Sequence, residues 1–132
     1  MNQSNRWKIV NDPTGDPLVV NFDKWKCNVL MERYAEGELS LRLVDVDDKS
    51  SICRATSNLT GQSPHRGEVF VKDYAENAGV LDALVGTGMF ADSGREVDTG
   101  HGHLNILRLS DDMQEQWQKF DAQLSDVASR TR

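Results

Sequence analysis

Alternation of apolar and polar residues dominates the first half of this chain. From Lys24 to Arg33, Trp25, Cys27, Val29 and Met31 fall on one side. Lys24, Lys26, Asn28 and Glu32 fall on the other, broken only by Leu30. A period of two with one apolar side marks a half-buried strand. After a turn at Ala35-Glu36-Gly37, Leu39, Leu41 and Leu43 continue the pattern against Glu38, Ser40 and Arg42. Residues 45–49 form the next turn and residues 51–56 a weaker third strand. Strands joined by such short loops predict an antiparallel meander. Upstream, residues 6–10 and 18–22 read as short strands around Asn11-Asp12-Pro13-Thr14-Gly15-Asp16-Pro17, where Pro presets φ and Gly accepts positive φ.

The second half mixes periods. A polar loop, Thr60 to Gly67, leads to a strand at residues 68–72 with Val69 and Val71 on one face. Asp73 is placed to cap a following helix, and Glu76 three residues later completes a capping-box pattern. Val80, Leu81, Leu84 and Val85 form that helix's apolar stripe, and Gly86 and Gly88 end it. Ser93-Gly94 is a tight-turn signal between residues 90–92 and 95–98, and residues 103–109 are the last strand. Ser110 is a good N-cap for a terminal helix over about residues 110–129, with Asp111 and Asp112 in its first turn. Met113, Trp117, Phe120, Leu124 and Val127 give that helix a narrow apolar stripe. The stripe either packs on the chain's own sheet or forms a homodimer seam. The predicted class is α+β: one domain over residues 1–132, with an antiparallel sheet of about five to seven strands. One short helix and a longer C-terminal helix cover it.

A chain of 132 residues can bury a sufficient core without disulfides or metal. No apolar run reaches a membrane span and the start of the chain has no apolar signal core, so a soluble cytoplasmic protein is expected. Cys27 and Cys53 lie far apart without a C-x-x-C, which fits reduced, partly buried thiols. Asn58-Leu59-Thr60 matches a glycosylation sequon and reads as chance in that compartment.

Charge changes the picture more than composition does. The net charge is −6. Residues 1–72 carry ten acids against ten bases, whereas residues 73–98 carry Asp73, Glu76, Asp82, Asp92, Glu96 and Asp98 against Arg95 alone. That distribution opposes direct nucleic-acid binding, which needs a basic footprint, and suits a basic partner surface. An acidic face that only aids solubility is the plainer alternative. His101-x-His103 would set two imidazoles on one side of a strand. A metal there would need a further ligand, for which His65, Asp92 and Asp98 are the candidates by type, and none has diagnostic spacing. Cys27 falls on the apolar side, no G-x-S-x-G elbow is present, and Gly86-x-Gly88 is too little for a phosphate loop. The expectation is a non-enzyme with no cofactor and no metal.

Within residues 68–109, four features occur together: Val69-Phe70-Val71-Lys72-Asp73, Tyr74-Ala75-Glu76-Asn77-x-Gly79, Leu81-x-Ala83-Leu84-Val85, and Gly94-Arg95 leading to Thr99-Gly100. The block resembles a family of short uncharacterised proteins encoded by bacteriophages and other mobile elements of bacteria. The likeness extends weakly back to residues 39–45 and covers about half of the chain, and its motifs carry no catalytic residue. The terminal helix and the His101-x-His103 pair depart from the family's usual form. The resemblance implies a small viral protein that binds a host protein, such as an anti-CRISPR inhibitor whose acidic face occupies the basic groove of a nucleic-acid-binding defence complex. Two alternatives stand beside it: an assembly protein oligomerising through Met113, Trp117, Phe120 and Leu124, and a metal-dependent enzyme using His101 and His103.

Overall fold

The computed structural model describes residues 6–59 and 61–130, with side chains described as far as residue 126. Thr60 of the sequon and the side chain of Val127 lie outside the described residues. The fold is α+β. Its strands are β1 (Lys8–Ile9), β2 (Val20–Phe22), β3 (Trp25–Arg33), β4 (Leu39–Asp45), β5 (Ser51–Arg54), β6 (Glu68–Val71), β7 (Phe90–Asp98) and β8 (His103–Leu109). The helices are α1 (Val80–Val85) and α2 (Asp111–Arg130), and a single 3-10 turn spans Ala75–Asn77. No helix among the described residues is long and apolar enough to cross a membrane.

The strands form two antiparallel sheets. In the first, β3 is flanked by β4 and then β5 on one side, and by β1 and β2 end to end on the other. The second has the order β6-β8-β7. The chain just after β5 stitches them together. Ala55 N donates to Leu41 O on β4 at 2.9 Å, while Lys72 N donates to Ala55 O at 2.9 Å and Ser57 N to Phe70 O at 3.0 Å. The hydrogen-bonded order therefore runs from β4 through residues 55–57 to β6. Helix α1 packs against both β2 and β7, strands at opposite ends of that order.

One main core draws on both sheets and both helices. It includes Val29, Met31, Leu41 and Leu43 from the first sheet and Val69, Val71 and Leu107 from the second. Val80, Leu81 and Leu84 enter it from α1, and Met113 and Phe120 from α2. Trp117 and Leu124 pack against the same core, so the stripe of α2 from Met113 to Leu124 packs within the chain. A buried side chain of this size contributes about 1.5–3 kcal/mol through removal from water. Polar contacts fix the helix in register. Met113 N donates to Ser110 Oγ at 3.1 Å, the cap expected at that position. Gln116 holds Asn11 by two bonds, accepting from Asn11 N at 2.9 Å and donating to Asn11 O at 2.7 Å. Arg33 reaches Asp121 at 2.8 Å.

The far face of the second sheet has its own small core of Phe70, Leu104 and Ile106, covered by Leu59, Tyr74 and Val97. Gly102 admits the Tyr74 ring, because a Cβ there would lie 3.0 Å from it. In the first sheet, Asn28 is buried on the side that alternation marks as polar. Its amide donates to Leu18 O at 3.0 Å and accepts from Lys49 Nζ at 3.0 Å, which satisfies it away from water.

Two local expectations need correction. The helix after Asp73 does not start there: the 3-10 turn intervenes and α1 begins at Val80. Ser93-Gly94 is not a turn but a β-bulge inside a continuous β7. Gly94 takes φ of 81°, Asp92 Oδ1 accepts from Gly94 N at 2.9 Å, and Ser93 Oγ donates to Ile106 O. These bonds satisfy the extra residues locally, so the strand continues past them. The hairpin turn falls instead at Thr99–Gly102, closed by Thr99 N donating to Gly102 O at 2.9 Å.

Candidate acidic interface

The register of β7 against β8 decides where the acids point. Phe90 lies opposite Leu109 and Asp92 opposite Leu107, and these apolar partners belong to the main core. Residues directly opposite each other share a face, so Asp92 projects on the core side. Past the bulge, Arg95 lies opposite Ile106 of the small core, on the far face. Glu96 then lies opposite Asn105 and Asp98 opposite His103, back on the core side. Without the bulge, strict alternation would have put Glu96 and Asp98 on one face with Asp92 and left Arg95 on the other by coincidence of count. With it, two extra residues are inserted and the parity is still kept. Asp92, Glu96 and Asp98 thus line one face of an edge strand.

This trio is exposed and partly held in place. Asp92 accepts from Gly94 N, and Asp98 accepts from Gly100 N at 2.9 Å. Glu96 lies 3.8 Å from Nδ1 of the exposed His103. Arg95, the base nearest in sequence, is drawn to the far face by a side-chain ion pair with Glu68. The negative charge on the trio's face is therefore not cancelled by its neighbour in the chain.

The other three acids have different circumstances. Asp73 Oδ1 accepts from Gly79 N at 2.9 Å and from Leu81 N at 3.1 Å, so it caps α1 from six residues upstream. Glu76 faces Lys72 Nζ at 2.9 Å. That hydrogen bond lowers the carboxyl pKa of Glu76 and raises that of Lys72. Asp82 is exposed on α1. The structure thus groups Asp92, Glu96 and Asp98, assigns Asp73 to capping and gives Glu76 a counter-ion.

His101 sits in the hairpin turn and only His103 is on a strand, so the two do not alternate along β8. Among the described residues, no group of three or more His, Cys, Asp or Glu side chains is placed to hold a metal ion. Cys27 and Cys53 are free and buried. Burial pushes each thiol up to about 11, with Asp45 adding to the effect at Cys27 and Cys27 adding to it at Cys53. Sequence reasoning missed that the strand runs on through a bulge, which puts the trio on one strand instead of dividing it across a turn. The signal was available in Asp92-Ser93-Gly94, whose Asp and Gly suit a bulge as well as a turn. No protein-family model, curated protein or solved structure matches the chain.

Proposed function

We propose that this chain is a non-enzymatic binding protein that engages a basic surface of a partner protein through Asp92, Glu96 and Asp98. The observation that supports this reading is the β7–β8 register, which aligns the three carboxylates on one face and turns Arg95 to the other. Carboxylates facing Lys or Arg are each worth a few kcal/mol when desolvated and little at a wet rim. The edge position leaves them open to a partner, and two of the three are oriented by backbone N–H groups before any partner arrives. The resemblance to proteins of phages and mobile elements directs the search for that partner to host defence complexes with nucleic-acid grooves, in the bacterial cytoplasm. An inhibitor of such a complex is the narrower form of the proposal.

The test is capture from a bacterial lysate by the native chain and by the Asp92→Asn, Glu96→Gln, Asp98→Asn variant. The native chain is expected to retain a partner with a basic surface at low salt and release it at high salt, where screening shortens to a few ångströms. Equal capture by the variant overturns the reading.

A further inference from the structure

A cleft of about 320 Å³ lies where the β3–β4 turn, the loop before β6 and helix α2 meet. It is at the Glu68–Leu109 end of the second sheet, whereas Asp98 and His103 are at the other end of β8. Its apolar lining is Pro64 from the loop before β6 and Trp117 from α2, both half-buried, with the buried Leu39 of β4 and Leu109 of β8 beneath them. Four charged side chains also line it, and two are already satisfied: Glu68 by Arg95 and Asp121 by Arg33. The remaining two, Glu38 and Arg66, come from different walls and have no ion-pair partner among the described residues. A small cleft with an apolar lining and a few convergent polar groups is the usual form of a ligand site.

We infer that this cleft binds a free α-amino acid with an apolar side chain. The ammonium group would face Glu38, the carboxylate would face Arg66, and the side chain would cover Trp117 and Pro64. One unpaired carboxylate and one unpaired guanidinium from different elements of the cleft match a zwitterion, whereas a singly charged ligand would leave one of them uncompensated. The exposed Gln118 amide adds a donor and an acceptor at the rim. This inference does not depend on the acidic face of β7.

The probe is L-leucine, followed by NMR through the indole N–H signal of Trp117, which is assigned by its loss in Trp117→Phe. Leucine is expected to shift that signal saturably. N-acetyl-L-leucinamide, with both charges blocked, should bind roughly tenfold more weakly, as should leucine to Glu38→Gln or Arg66→Gln, since each loses a charge-assisted bond. Both substitutions are on accessible side chains, and unchanged spectral dispersion confirms folding. No saturable shift, equal binding of the blocked compound, or native affinity in both variants overturns the inference.

Discussion

Removing the Asp73 carboxylate tests how the acidic segment is divided between structure and binding. Helix α1 has only six residues, too few to persist without tertiary support. Its N-terminus has no side-chain cap from Gly79, and Asp73 supplies two hydrogen bonds from outside. Deleting a cap costs about 0.5–2 kcal/mol. Asp73 is partly buried and serves two donors, which places Asp73→Ala in the upper half of that range, about 1.5 kcal/mol. For a chain of this size the midpoint of thermal unfolding should fall by roughly 6 °C. Asp73→Asn keeps one acceptor oxygen and should lose about half as much. The assay is urea denaturation of the three chains, with amide exchange in α1 as a local readout, where Leu84 and Val85 should exchange about tenfold faster in Asp73→Ala. A change within about 0.5 kcal/mol of the native chain, with α1 exchange unaltered, would refute the capping argument.

Other outcomes follow from the same geometry. Phe120→Ala should cost about 3–5 kcal/mol in urea denaturation, because the ring is 2% exposed in the main core. Loss of self-association without loss of stability would instead mark α2 as a seam. Ala75 has φ of 56° on an exposed residue, so Ala75→Gly should relieve the strain and stabilise by about 0.5–1 kcal/mol, read by thermal unfolding. The native thiols should resist alkylation at pH 8 and react on unfolding. In the unfolded chain each thiol ionises near 9, while in the folded chain it holds its proton to about 11. The unfolded state therefore binds fewer protons between those values, and stability should fall as pH rises from about 9 to about 11. Flat stability across that window would contradict the burial of both thiols.

The strands and α2 were legible because their signals are local and repeated. Alternation in residues 24–33 and 39–43 marked β3 and β4, and the spacing of Met113, Trp117 and Phe120 marked the buried side of α2. Ser110 was identified as a cap because its bond spans three residues. Asp73 capping was legible in kind but not in place, since its bonds reach across an intervening 3-10 turn that no short pattern encodes. Asn28 lies on the side that alternation assigns to it, but its burial was not legible because its partners, Leu18 and Lys49, are distant in the sequence. The acidic segment was visible as composition. Which acids share a face depended on β7 running on through Ser93-Gly94 instead of turning there, and the hydrogen bond from Ser93 that holds this course goes to Ile106 on another strand.

The central claim is that binding depends on the arrangement of Asp92, Glu96 and Asp98 and not on net charge. The most direct measurement compares three baits against one bacterial lysate: the native chain, the variant neutralised at those three positions, and a variant neutralised at the exposed Glu36, Asp47 and Glu115. Both variants gain the same charge, and neither touches the Asp73 cap. The account predicts that the native chain and the second variant capture the same basic partner while the first captures none. Equal loss in both variants, or capture by all three, would contradict it.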